Sequence, residues 1–327
     1  MPKLPGKLGR WLLRGSDPSV RYRVLRTVLG RPASDPALVD AARAIGREGW
    51  AAGILAEQLP GGQWATSRAT PDSLYHPKYT ATNWRLLVLS ELGVRGTDPR
   101  VRRAVDLFLR VYASRKEDAL GGPASEACFT GNAVRLLVAF GRGDDRRTRR
   151  AIDWIVRSQK PDGGWHCFPS KVGTLDAWEP LAALAALPRP SRSAAADRAA
   201  AQGAEFFLDR ALLHEGRGSY APWLRLHYPT HYYYDLLVGL TMLVRLGYAD
   251  DRRLRPALAR LEARRRPDGS WALDALHPDV EGPDLLRYTA AYVDHRPFYP
   301  FALEMPGLPS RWITAGALEV LRACGRA

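Results

Sequence analysis

Three stretches of this chain share one register. Asp98-Pro-Arg100-Val-Arg102-Arg-Ala104, Asp145-Arg-Arg147-Thr-Arg149-Arg-Ala151 and Asp251-Arg-Arg253-Leu-Arg255-Pro-Ala257 all read Asp-x-Arg-x-Arg-x-Ala, and each follows a Gly-containing turn. A unit that recurs in this way must bury one face against its neighbours, which limits the chain to arrays and rings. The Asp of each copy is placed to cap a helix: its carboxylate can accept from first-turn amides that have no other partner and meets the positive end of the helix dipole. Eighteen residues after the second and third Asp come Gly163 and Gly269, within Pro161-Asp-Gly-Gly-Trp165 and Pro267-Asp-Gly-Ser-Trp271. After the first Asp the equivalent turn is Gly121-Gly122, without a Trp; an earlier copy, Pro60-Gly-Gly-Gln-Trp64, follows the helical stretch Pro36 to Gln58. The period is about 50 residues, in the range of helical-pair repeats.

After each turn a second, more apolar helix is predicted, at about Tyr79 to Leu92, Ala127 to Phe140, Leu175 to Leu187, Thr230 to Leu246 and Ser310 to Ala323, with an atypical first copy at Ser19 to Leu29. These helices are apolar nearly all round and so are buried on several sides, whereas the Arg-rich amphipathic helices before them belong outside. An all-α closed double ring follows, read as one domain over 1–327. An open solenoid needs polar caps at both ends, and here the last inner helix runs almost to the C-terminus. The segment 272–309, rich in Pro, Asp and His without helical periodicity, reads as a long loop or lid over one face.

The Gly-Gly-Trp and Gly-Ser-Trp turns, preceded by Gln159 in one copy, resemble the QW-type repeats of squalene and hopene cyclases. Ala127-Cys-Phe-Thr-Gly-Asn132 and His231-Tyr-Tyr-Tyr-Asp-Leu-Leu-Val-Gly-Leu240 resemble helix starts of protein prenyltransferase beta subunits. Together they resemble the terpenoid cyclase and protein prenyltransferase superfamily over essentially the whole chain. The resemblance implies an (α/α)6 toroid and an enzyme acting on an isoprenoid or other apolar chain, with a prenyl diphosphate as the family's usual substrate. Fold alone does not carry activity. A non-catalytic ligand-binding or scaffold toroid stands as an alternative, and a zinc-dependent toroid enzyme of lanthionine-cyclase type as another, which Trp165-His-Cys167 only approximates.

In such a ring the N-termini of the inner helices gather at one opening, where their dipoles favour an anion. Tyr79, Asn83, Trp84, Asn132, Trp178, Tyr232, Tyr234, Arg311 and Trp312 fall near those helix starts and are the candidate cavity residues, since aromatic walls with a few polar groups suit an apolar ligand with one reactive end. The same aromatics could equally fill the tapered centre as packing. The Asp-x-Asp-Asp segment with which class II terpene cyclases protonate an alkene is absent. Asp235 and Asp176 are the candidate catalytic acids, each among aromatics that would raise its pKa by desolvation; the competing reading is a helix-cap carboxylate.

His166 and Cys167 break the repeat, whose other copies carry Ala65-Thr66 and Ala272-Leu273. Protein prenyltransferases hold zinc with an Asp-x-Cys pair and a later His, so the resemblance implies zinc on Cys128, Cys167 and His231, with His227 or Glu126 as the fourth ligand. The chain departs from that pattern: Glu126 replaces the Asp, and His231 lies one residue off register. Two buried unpaired cysteines also need no metal.

The formal charge of +14 raises nucleic acid as a partner, but all but six of the 48 basic residues are Arg and they are spread along the chain. No compact basic patch with interleaved aromatics stands out, so nucleic acid is not expected. The Arg-for-Lys bias, with abundant Ala, Gly and Pro, fits a GC-rich bacterial genome. Neither a run of about 18 apolar residues nor the features of a signal peptide is present, so a cytoplasmic protein is expected, with peripheral membrane contact as a candidate property. Three scattered cysteines are expected as reduced thiols.

Overall fold

The computed structural model describes residues 6–114, 118–215, 218–276 and 302–326. In chain order its helices are α1 (Gly6–Leu13), α2 (Pro18–Arg23), continued by a π-helical turn at Val24–Val28, α3 (Pro36–Ala44), α4 (Gly49–Ala56), α5 (Pro71–Tyr75), α6 (Thr82–Glu91) and α7 (Pro99–Tyr112). There follow α8 (Ala127–Ala139), α9 (Arg146–Ser158), α10 (Glu179–Ala186), α11 (Ala194–Asp209), α12 (Leu236–Leu246), α13 (Arg255–Ala263) and α14 (Arg311–Ala323). Two short strands, β1 (Trp271–Ala272) and β2 (Pro309–Ser310), pair antiparallel with Trp271 opposite Ser310. The fold is all-α. No described helix is long and apolar enough to cross a membrane.

Asp98, Asp145 and Asp251 each accept from the backbone N–H two residues on, at 2.9, 2.9 and 2.8 Å. The Arg at that position folds back onto the same carboxylate, as Arg147 does with Nη2 2.7 Å from Asp145 Oδ2. This clamp pulls the Asp145 pKa down to about 2, through the Arg147 side chain first, against a smaller opposing effect of burial. The repeated Trp residues are equally regular. The indole N–H groups of Trp64, Trp165 and Trp271 donate to the carbonyls of Ile54, Ile155 and Leu261, each ten residues back, at 2.7, 2.8 and 2.8 Å. Gln58 and Gln159 extend the turn to the next unit, donating to the carbonyls of Arg100 and Ala199 at 3.0 and 2.8 Å.

The more apolar helices pack on one another in sequence: α6 on α8, α8 on α10, α10 on α12, α12 on α14. The last of them, α14, packs on α2 and its π-turn. The Arg-rich helices lie against them, α7 on α6, α9 on α8, α11 on α10 and α13 on α12. In α9 only Thr148, Ala151 and Ile155 are buried, one narrow stripe, with arginines over the rest. In α6 the residues from Thr82 through Leu89 are all buried.

Three helix starts differ from the expected ones, beginning with α6 at Thr82 rather than Tyr79, and the stretch Pro36 to Gln58 divides into α3 and α4. Helix α10 starts at Glu179 rather than near Leu175, and α12 at Leu236 rather than Thr230. Residues 227–235 form an irregular approach in which His231 takes a left-handed backbone with φ 48°. Most of the expected lid, 277–301, lies outside the described residues.

Candidate functional site

The irregular approach to α12 decides what the helix-start end of the interior becomes. Freed from the helix, Tyr232 and Tyr233 turn back over Tyr79 and Trp84. His231 packs 4.5 Å from the Tyr79 ring and 5.5 Å from Trp84 between centroids, and Trp84 Nε1 donates to the Tyr75 carbonyl at 2.6 Å. The hydroxyls of Tyr79 and Tyr233 lie 3.2 and 2.8 Å from that of Tyr232, which also accepts from Lys78 Nζ at 3.1 Å. Tyr234 turns the other way, its hydroxyl donating to the Leu212 carbonyl at 2.9 Å. This end is a packed plug.

The open space lies beyond it. A cavity of about 470 Å³ runs between the π-turn and α6, α8, α10, α12 and α14, with Trp178, Tyr228 and Trp312 toward the plug and the alanines of α10 along one wall. Of the expected cavity residues, Trp178 and Trp312 line it; Tyr79, Asn83, Trp84, Asn132, Tyr232, Tyr234 and Arg311 do not. Asn132 instead donates to the His231 carbonyl at 3.0 Å, and Arg311 donates to the Trp11 carbonyl at 3.0 Å. Asp176 is exposed and accepts from Trp223 Nε1 at 2.7 Å, so it faces away from the cavity.

Asp235 does border the cavity, but its oxygens are engaged. Oδ1 accepts from Val238 N at 2.8 Å and so caps α12, while Oδ2 accepts from His227 N at 3.0 Å and lies 2.7 Å from His227 Nδ1. Burial draws the His227 pKa down, but the Asp235 charge and contact, with the carbonyls of Thr230 and Arg225, outweigh it and leave it raised. The expectation of a free carboxylic acid gives way to a buried imidazole–carboxylate pair. His231, four residues on, has no such partner: burial first, then the charges of His227 and Arg85, lower its pKa to about 3.

The two cysteines that sequence spacing separated do meet. The Cys167 thiol, together with burial and the nearby Glu126 charge, pushes the Cys128 thiol well above its ordinary range. His231 does not join them, because its ring is fixed between Tyr79 and Trp84. Among the described residues no group of three or more His, Cys, Asp or Glu side chains is placed to hold a metal ion. Of the donors that the resemblance implies for zinc, the fold brings Cys128 and Cys167 together but not His231.

What sequence reasoning missed is the arginines. Arg23, Arg135 and Arg245 line the half of the cavity toward the last turns of the inner helices, with Glu91 and Glu319. Arg23 Nε donates to Glu319 Oε2 at 3.0 Å and its guanidinium lies 4.8 Å from the Trp312 ring centroid. Arg135 donates to Glu91 Oε1 at 3.1 Å and to Asn132 Oδ1 at 2.5 Å, and lies 4.7 Å from the Trp178 ring. Burial raises the Glu91 pKa in spite of Arg135, whereas Arg23 and Arg245 overcome the effect of burial on Glu319 and lower it. The signal was a lone Arg inside an otherwise apolar helix, as in Leu236-Leu-Val-Gly-Leu-Thr-Met-Leu-Val-Arg245. Arg245 is exposed, whereas Arg23 and Arg135 are half-buried and paired.

No family model matches the chain, and no curated protein does. Its structure is similar to that of a protein from Actinoplanes, at 19% identity over 98% of each chain and a TM-score of 0.48. It is also similar to the type II terpene cyclase MstE from Scytonema without ligand, at 17% identity over 88% of this chain and 99% of that one, with a TM-score of 0.30. A variant of that cyclase in complex with its substrate geranylgeranyl dihydroxybenzoate gives 16% identity and a TM-score of 0.29. Likeness at this level does not assign an activity to this chain.

Proposed function

We propose that this chain closes into an (α/α)6 toroid of terpenoid-cyclase-like type and binds an isoprenoid or similar apolar chain in its centre. The observation that carries the reading is the cavity of about 470 Å³ among the inner helices, walled by Ala182, Ala185, Leu237 and Met242 and closed at one end by aromatic rings. Volumes of about 300 to 1,000 Å³ are those of small-molecule sites, and here the apolar wall stands beside Arg23, Arg135, Arg245, Glu91 and Glu319. The packing of α14 on α2 supports closure of the ring. Binding is the primary function in this reading and turnover the second. The engagement of Asp235 by His227 and by the α12 amide supports that order, because an acid so held does not face an alkene.

Calorimetric titration with all-trans-geranylgeraniol, followed by chromatography of the recovered chain, tests both parts. Binding that is lost in Ala182→Trp, where a large ring fills the cavity, supports the reading. A recovered isomer of equal mass and different retention would make the protein a cyclase, and unchanged chain a binder. Absence of binding, or binding indifferent to Ala182→Trp, overturns the proposal.

A further inference from the structure

Three polar atoms on the cavity wall have no hydrogen-bond partner among the described residues: Ser19 Oγ, Glu91 Oε2 and the Tyr228 hydroxyl. Ser19 and Tyr228 are each only 2% exposed, so neither hydroxyl is turned out to bulk solvent. Glu91 uses its other oxygen on Arg135, which donates to Oε1 at 3.1 Å. Buried polar groups are nearly always paired, and one left unpaired carries its full desolvation cost in the empty protein. The three residues are neighbours. The Tyr228 ring stacks on Trp312 with centroids 4.7 Å apart, the Arg23 guanidinium lies 4.8 Å from the same ring, and Ser19 stands one turn before Arg23 on α2. Burial first, then the Glu91 charge, raises the Tyr228 pKa well above the ordinary phenol range, so its oxygen keeps its hydrogen and can donate it.

We propose that Ser19, Glu91 and Tyr228 form a binding site for an uncharged hydroxyl group, that of an alcohol, on the ligand that the cavity holds. A hydroxyl has one hydrogen to give and two lone pairs with which to accept. Its oxygen accepts from Tyr228 and Ser19, and its hydrogen goes to Glu91 Oε2. The same set discriminates against other groups. An ether accepts from the two hydroxyls but leaves Glu91 without a donor; a carboxylate or phosphate sets its charge against that of Glu91; a hydrocarbon leaves all three atoms unpaired. The proposal rests on the cavity reading above and goes beyond it by fixing the polar chemistry of the ligand, whatever the carbon skeleton. The competing role for Tyr228 is structural, a ring valued for its stacking on Trp312. Tyr228→Phe separates the two roles, because it keeps the ring and removes only the oxygen.

The experiment compares 1-dodecanol, its methyl ether and dodecanoate by calorimetric titration, on the intact protein and on Tyr228→Phe, Ser19→Ala and Glu91→Gln. The alcohol is expected to bind about tenfold or more tightly than the ether, the size of effect that a hydrogen bond to a charged group carries, and more tightly than the carboxylate. Tyr228→Phe and Ser19→Ala should each weaken the alcohol and the ether alike, by about threefold or more, because both ligands accept there. Glu91→Gln should weaken the alcohol alone and so shrink its advantage over the ether. Equal binding of alcohol and ether to the intact protein overturns the hydroxyl site, as does tighter binding of the carboxylate. A lower melting temperature in Tyr228→Phe with alcohol binding unchanged also overturns it, in favour of the stacking role. The cavity reading is judged apart, by geranylgeraniol as above. Should none of the straight chains bind, cyclohexanol, small enough to need only the hydroxyl site, decides alone: thermal stabilisation of the intact protein that is lost in Tyr228→Phe supports the site, and stabilisation absent from the intact protein or kept in Tyr228→Phe overturns it.

Discussion

The two ends of the interior are built from different materials. Toward the helix starts, Tyr79, Trp84, His231 and Tyr232 pack ring against ring and leave no room. Toward the helix ends, Arg23, Arg135 and Arg245 stand around open space with Glu91 and Glu319. One end is made stable by contact area and the other is made receptive by charge. Stability should therefore be sensitive to substitutions in the plug and tolerant of substitutions among the arginines, whereas ligand binding should show the opposite.

The largest effect is expected from Trp84→Ala, which removes a buried indole from the centre of the plug. Chemical denaturation should show a loss of about 3 to 5 kcal/mol, as for other buried Trp truncations. A loss under about 1 kcal/mol would mean that the plug is loosely packed and that the contrast between the ends is false.

Asp235→Asn comes next. It preserves the cap on α12 but leaves a buried His227 without its counter-charge, and breaking a buried pair typically costs about 3 kcal/mol or more. The loss should be present below the ordinary His pKa and shrink as pH rises through the raised value for His227, because a neutral imidazole needs no carboxylate. A loss independent of pH between about 6 and 9 would show that the pair is not ionised.

The pH dependence of the intact protein separates the two histidines. His227, with a raised pKa, contributes stability that is complete below its unfolded pKa and lost above. His231, lowered from 6.5 to about 3, does the reverse: stability is complete above 6.5 and falls as the unfolded chain takes up the proton. Between pH 6.5 and about 5.5 its share of the loss should be about 1 kcal/mol. His231→Phe should flatten that acid limb; an unchanged limb would assign it to other groups.

Among the substitutions that lower stability, the smallest loss belongs to the open end. Glu319→Gln frees Arg23 in a partly buried site, both side chains being 17% exposed, where the loss should fall between those of surface and buried pairs, about 1 to 2 kcal/mol. Its melting temperature should fall by less than that of Trp84→Ala, and the added positive charge should tighten binding of inorganic diphosphate. A drop as large as that of Trp84→Ala would erase the distinction between the two ends.

Much of the scaffold was legible because its causes are local. An Asp that caps through the N–H two residues on, or a Trp that reaches the carbonyl ten residues back, leaves its mark within one repeat. The division into apolar and Arg-rich helices was legible for the same reason, since periodicity records how many faces are covered. The site was not. Tyr232-Tyr-Tyr-Asp-Leu-Leu reads as a continuous helix start, and only contacts with His227, Tyr79 and Trp84 reveal that the helix begins at Leu236. Cys128 and Cys167 come together, whereas the His231 ring is held between Tyr79 and Trp84. The arginines were invisible for a further reason: whether Arg23 is paired depends on Glu319, 296 residues away.

The contact between α14 and α2 has a mechanical consequence. Near it, Arg23 reaches Glu319 and Arg311 reaches the Trp11 carbonyl, so the first and last helices are tied together by side chains as well as packing. An array with free ends can be peeled one unit at a time when stretched. This chain, pulled by its termini, loads the clasp between its ends in shear before any repeat can unravel. Its force–extension trace in an optical trap should show one high-force rupture that releases most of the contour length together, in place of a sawtooth.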